Sequence, residues 1–212
     1  MSKFLKLFLL TTAVAAVVGC VSPFYGTARI EPGWHMDVGM AATSFVGATE
    51  WFPYCIGIRG DAELSYGFNK YLGVNGRTAL GLGYVLSEGG PMSLMPILDG
   101  ALGFQAALPL KTVTPALKVE LSYYAEPALS SAFLVGLGQD ERATIGCRAY
   151  IEEFSDLAAL DIFIGIHPVP KWTFFGGIET MTLFNKPFYP IVTIGLGYNL
   201  LNQRRGDKKF GD

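Results

Sequence analysis

The stretch IRGDAELSYGF, residues 58–68, sets Arg59, Asp61 and Glu63 at alternate positions, with Ile58, Ala62, Leu64, Tyr66 and Phe68 on the other parity. Side chains of a β-strand alternate between its two faces. One face of this strand therefore carries three charges and the other a row of apolar groups. The charged face needs water or ionic partners, because a buried charge is tolerated only when paired. The apolar face needs hydrocarbon. Few architectures supply both.

The pattern recurs along the chain. Ten segments read as strands, at 34–45, 56–68, 72–86, 97–108, 113–124, 131–138, 142–152, 158–166, 171–181 and 189–200. Most approach the ~9–11 residues of a tilted membrane-spanning strand, and glycine, proline, asparagine and aspartate fill the gaps as turn chemistry requires. Lys118 and Glu120 share a face of the fifth segment, Arg142, Arg148 and Glu152 of the seventh, and Lys171 and Glu179 of the ninth. With the opening trio these make six agreements of parity, which chance produces about once in 64 trials. The opposite faces are apolar: Leu117, Val119, Leu121 and Tyr123 in one, Ala143, Ile145, Cys147, Ala149 and Ile151 in another. A soluble sandwich or ligand-carrying barrel would bury its apolar face and expose its charges.

Backbone groups in lipid are satisfied only within helices or closed barrels, and no helical periodicity appears after residue 20. The chain is 50% hydrophobic and 16% charged, below the roughly 25% charge of soluble domains. The expected fold is all-β: one antiparallel up-and-down transmembrane β-barrel over residues 34–200, of about ten strands, with eight to twelve compatible with the pattern.

The first residues have a different character. Lys3 and Lys6 precede an apolar run from Leu7 to Val18, too short for a comfortable helical span and typical of a signal peptide, here 1–19. VVGC, residues 17–20, resembles the bacterial lipobox, in which cleavage precedes a cysteine that receives lipid. The resemblance implies a lipid on Cys20. Because Val21 is not the aspartate that retains some lipoproteins at the inner membrane, it also implies an outer-membrane destination. Residues 20–33 then read as a lipid-anchored linker and 201–212 as a charged periplasmic tail. Removing Lys3 and Lys6 leaves 14 basic and 18 acidic residues, so no basic field points to nucleic acid.

One set of connections is short (69–71, 109–112, 139–141, 167–170) and the other longer (46–55, 87–96, 125–130, 153–157, 182–188). Bacterial barrels have short periplasmic turns and longer outer loops, which puts both chain ends on the periplasmic side. Trp34, Phe68, Trp172 and Tyr198 then mark the periplasmic rim, Tyr84 and Tyr123 the outer one. In TIGLGYNL, residues 193–200, Thr193, Gly195, Tyr198 and Leu200 resemble the C-terminal signal read by the outer-membrane barrel assembly machinery. That machinery, the lipoprotein export machinery and outer-membrane lipid are the partners these resemblances imply. The chain departs from the pattern by continuing into NQRRGDKKFGD.

There is no phosphate loop, nucleophile elbow or metal-ligand spacing. No metal or cofactor is expected. Cys55 and Cys147 lie far apart, and spacing alone does not establish a disulfide. Of the two histidines, His35 shares a face with Asp37, which suits a general-base pair or, as read here, a polar network at the rim. His167, in HPVP, reads as a turn residue. The inward charges are Asp37, Arg59, Asp61, Glu63, Arg77, Asp99, Lys118, Glu120, Arg142, Arg148, Glu152, Asp161, Lys171 and Glu179. Mixed signs favour an ion-pair network over a selective charged ring, and folding the turn about Lys70 sets Glu63 opposite Arg77. Inward glycines (Gly57, Gly67, Gly73, Gly81, Gly83, Gly103) leave room beside it. The expected role is structural or interaction-based in the cell envelope, without catalysis. A narrow passive pore is the alternative, and a barrel enzyme using His35 and Asp37 stands behind it.

Overall fold

In the computed structural model, residues 23–45, 54–86, 93–124, 126–152, 157–183 and 189–201 are described. They form ten strands: β1 (Gly33–Phe45), β2 (Tyr54–Gly67), β3 (Leu72–Leu86), β4 (Ser93–Ala107), β5 (Val113–Tyr124), β6 (Glu126–Leu137), β7 (Ala143–Glu152), β8 (Leu157–Val169), β9 (Trp172–Leu183) and β10 (Tyr189–Asn199). Each pairs antiparallel with its sequence neighbours, and β1 with β10 closes the barrel. Closure leaves no edge strand.

Three boundaries differ from the sequence reading by three residues or more, the first being β4, which begins at Ser93 and not at 97. β6 begins at Glu126, and Pro127 stands opposite Tyr123. Proline and its neighbours read as a loop because proline cannot donate to a ladder, yet the alternation of Ala128, Ser130 and Ala132 inward against Leu129 and Phe133 outward carries the strand through. β8 runs on to Val169, with an irregularity between Ile166 and Val169. A bulge of this kind absorbs an extra residue and re-aims a side chain. His167 therefore belongs to the strand and not, as expected, to a turn.

The wall faces as its parity requires. Leu80, Leu102, Phe104 and Ile194 lie on the outside, Leu102 71% exposed, whereas Arg59, Glu120 and Asp161 are buried inside, none more than 2% exposed. An apolar exterior this continuous is the lipid-facing band of a membrane barrel. Trp34 packs tilted against Tyr66 with ring centroids 4.9 Å apart, and Tyr66 against Phe68 at 5.4 Å and Trp172 against Tyr198 at 4.9 Å meet edge to face, all at one end. Tyr84 and Tyr123 are exposed near the other. Cys147 is unpaired and exposed on the outer face. Cys20 lies outside the described residues, as does the side chain of Cys55.

Residues 23–30, expected as part of a linker, are folded into the barrel. Phe24, Tyr25, Ala28 and Ile30 are buried in one cluster with the inward side chains Ala107, Ala116, Ala132, Leu134, Phe163 and Phe175. Leu134, Phe163 and Phe175 break the polar-inward rule. Apolar groups in a lumen must be covered to escape water, and the N-terminal segment covers them.

Leu80 and Leu102 stand about midway along β3 and β4. Leu80→Arg or Leu102→Arg should each destabilise the folded barrel by about 2–4 kcal/mol in a reversible urea titration in lipid vesicles, while Leu→Ile at either site should be nearly silent.

Candidate functional site in the barrel lumen

Four adjacent strands supply a continuous chain of buried charges. Arg59 on β2 holds Asp61 (Nη2–Oδ1 2.6 Å) and Asp99 on β4 (Nη2–Oδ2 2.8 Å). Arg77 on β3 reaches the same Asp99 oxygen at 3.0 Å and Glu120 on β5 at 3.5 Å. Lys118 on β5 joins Glu120 at 3.1 Å and Glu63 on β2 at 3.0 Å. Asn75 Nδ2 donates to Glu120 Oε1 at 2.9 Å. The run Asp61–Arg59–Asp99–Arg77–Glu120–Lys118–Glu63 thus alternates in sign from end to end. In a restricted dielectric such alternation is what makes burial tolerable, since each ion repays the desolvation of its neighbours.

The register pairs Glu63 with Arg77, as the turn about Lys70 predicts. The ionic contacts go elsewhere. Inside a barrel, long side chains lean toward the axis and meet across the lumen, so Glu63 takes Lys118 and Arg77 takes Asp99 and Glu120. A second cluster lies on β7–β9. Arg148 grips Asp161 through Nε at 2.9 Å and Nη2 at 2.6 Å, with its guanidinium 4.8 Å from the Tyr150 ring. Glu179 is buried directly across from Asp161.

Not every expected lumen charge belongs to these networks. Arg142 and Lys171 keep the inward parity but precede Ala143 and Trp172, where the wall begins, and they are exposed at the mouth. Asp37 is buried at the seam, where Asn199 Nδ2 donates to its Oδ1 at 3.0 Å. The side chain of Glu152 is outside the description. Thr193 meets Thr43 hydroxyl to hydroxyl at 2.9 Å across the same seam. Gly195 lies under the Tyr25 ring, Tyr198 faces out on Trp172, and the Leu200 N–H donates to the Met36 carbonyl at 2.8 Å.

The N-terminal segment is held on several sides. Tyr25 lies flat against Gly39, Gly195 and Gly197, where any Cβ would strike its ring or hydroxyl. Burial, and secondarily the Asp61 carboxylate, push the Tyr25 phenol far above its ordinary range, so it packs as a neutral group. Phe24 packs on Phe163 at 5.9 Å and beneath the Lys118 ammonium at 4.9 Å. Gln105 Nε2 donates to the Ala28 carbonyl at 2.9 Å, and Arg29 Nη1 to the Gln139 carbonyl at 2.7 Å. His35 Nε2 meets the Glu31 carbonyl at 2.9 Å.

Glu141 is the principal anchor. It sits in the β6–β7 turn at φ 45°, a left-handed conformation uncommon outside glycine. Strain of this kind is retained where surroundings enforce it. The turn swings the carboxylate back into the lumen against Gly136. There it accepts the Ala28 N–H and, at 2.8 Å, the Arg29 N–H, while Thr144 Oγ1 donates to it at 2.9 Å. Glu141, Tyr25, Thr144 and Thr173 carry no period-two charge signal and escape a parity reading. The inward Phe163 and Phe175 are the signal that an internal partner exists.

Three of the inward glycines expected to leave room have none. A Cβ on Gly67 would collide with the Glu31 carbonyl, one on Gly81 would lie 2.5 Å from the Ile58 carbonyl oxygen, and one on Gly103 would lie 2.6 Å from Glu120 Cγ. A cavity of about 160 Å³ opens at the short-turn mouth, bordered by Arg29, Glu31, Asp140, Glu141, Arg142 and His167.

No family model and no curated protein sequence matches the chain. Solved structures with some likeness include a KdgM porin (9% identity, 76% of this chain and 98% of that one, TM-score 0.43). The attachment invasion locus protein Ail of Yersinia pestis aligns at 11% identity over 80% of this chain and 99% of its own, TM-score 0.35. Neisserial surface protein A aligns at 9% identity over 79% and 96%, TM-score 0.37. No residue role is carried over from any of them.

A double-mutant cycle between Glu63 and Lys118, which are in direct contact, should give a coupling of about 0.5–3 kcal/mol, larger than that between Glu63 and Arg77, which are joined only through Lys118 and Glu120. Replacing Gly197 by valine should displace Tyr25 and speed tryptic cleavage after Arg29, read by mass spectrometry of the released N-terminal peptide.

Proposed function

We propose that the chain is a small outer-membrane β-barrel lipoprotein whose lumen is closed by its own ion pairs and N-terminal segment, with a structural or interaction role in the envelope. The observation that carries this reading is the unbroken seven-residue chain of buried charges across β2–β5, with the segment 23–31 packed beside it. A lumen lined this way has its charges turned on one another, leaving few to select a solute. The assembly signal at Thr193, Gly195, Tyr198 and Leu200 and export through the Cys20 signal belong to the same reading.

A narrow passive pore is the second reading. Its support is that the segment 23–31 joins the wall through no covalent bond other than its own continuation into β1, and that a cavity already opens beside it. His35 and Asp37, the pair an enzyme would use, bond to the Glu31 carbonyl and to Asn199, and no further observation favours catalysis.

Labelling with a fatty-acid analogue should mark the wild type and leave Cys20→Ser unmarked. In planar bilayers Cys20→Ser should be silent, and deletion of residues 23–31 should give, at most, small openings against the remaining ion pairs. Large openings of Cys20→Ser would overturn the closed-lumen reading in favour of the pore.

A further inference from the structure

His167 occupies a position where the hydrogen-bond donors can be counted. Its Nε2 lies 3.1 Å from Thr144 Oγ1, and its Nδ1 2.8 Å from Thr173 Oγ1. Each threonine has a single hydroxyl hydrogen. Thr144 donates its hydrogen to the Glu141 carboxylate at 2.9 Å, and Thr173 donates its own to the Tyr25 carbonyl at 2.9 Å. A carboxylate and a carbonyl have no hydrogen to return. Both ring nitrogens of His167 must therefore donate, which only the imidazolium does.

Both arms end on the N-terminal segment. One runs through Thr144 to Glu141, which holds the Ala28 and Arg29 amides; the other runs through Thr173 to Tyr25. We infer that His167 is a protonation latch: as the imidazolium it completes both hydrogen-bonded arms on residues 25–29, and on losing a proton it releases one of them and loosens the plug. With one ring hydrogen left, either Thr173 loses its donor, or Thr144 must turn its hydrogen from Glu141 to the ring. Histidine is the side chain whose charge ordinarily changes between pH 5 and 8, so the plug is held on the acidic side of this window and loosened on the alkaline side.

The charged neighbours allow this assignment. Around the same cavity stand Asp140, Glu141 and Arg142 of the β6–β7 turn, Arg29 and Glu31 of the segment and Asp37 of β1, with Lys171 in the adjoining β8–β9 turn. The other histidine, His35, also touches the segment, through the Glu31 carbonyl, and serves as the control.

The inference rests on the closed-lumen reading, and hydrogen exchange tests it without needing a current. The mature chain carrying Cys20→Ser, and therefore no lipid, is refolded in detergent. Protection factors of residues 23–31, corrected for intrinsic rate, are measured at pH 5.5 and 8.0. Protection should fall about tenfold at the higher pH, the effect of one charge-assisted hydrogen bond. His167→Gln should abolish the pH response while the barrel strands stay protected, and His35→Gln should retain it. An unchanged protection across pH, or the same fall in His167→Gln, overturns the latch. Bilayer conductance of the same proteins separates the two readings: a pH-dependent segment over a barrel silent at both pH values supports the latch and a lumen sealed by ion pairs. Large openings at both pH values, with protection still pH-dependent, would overturn the sealed lumen and leave the latch standing.

Discussion

A charge placed inside a closed wall must find an opposite charge there, and this requirement organises the lumen. Arg59, Arg77 and Lys118 each serve two acids, and Asp99 and Glu120 each serve two bases. No link is expendable, because truncating one partner strands another ion where water barely reaches, a loss of about 3–5 kcal/mol in buried pairs. The strands they join, β2 to β5, are locked in relative rotation as well as register. The exterior contributes by apolar burial in lipid and specifies little; the interior specifies which face is which.

The second constraint is complementary. Toward the short-turn end the lumen is lined by Leu134, Phe163, Phe175 and small alanines. An apolar concavity of that kind needs an apolar filler, and the N-terminal segment supplies Phe24, Tyr25, Ala28 and Ile30. Lys118 links the two regions, ionically paired to Glu63 and Glu120 while its ammonium covers the Phe24 ring.

Strand number, wall orientation and rim aromatics are legible in residues alone, because period-two alternation is a local property and the charges vote together. Pairing of Glu63 with Arg77 in register is legible too, since a tight turn dictates it. The ionic partners are not, because they depend on how far each side chain leans across the lumen, which no periodicity records. The segment 23–31 is illegible for a related reason. It has neither strand nor helix pattern, and many of its contacts lie far along the chain, at Gln105, Gln139 and Glu141. Glu141 looks like an ordinary turn residue until its left-handed backbone aims it inward. Arg142 and Lys171 mislead in the opposite way: parity runs on past the point where the wall stops.

The seat of Tyr25 lies on the seam. Gly39 of β1 and Gly197 of β10 are register partners, and Gly195 faces Ala41 beside them. The flat floor beneath the ring is thus divided between the first and last strands of the wall, and neither half exists as a platform until the two ends of the chain meet. A nascent barrel still open at this join has no place for the tyrosine. Seating it is therefore a late event in biogenesis, one that follows the joining of the ends and distinguishes a finished cylinder from a curled sheet.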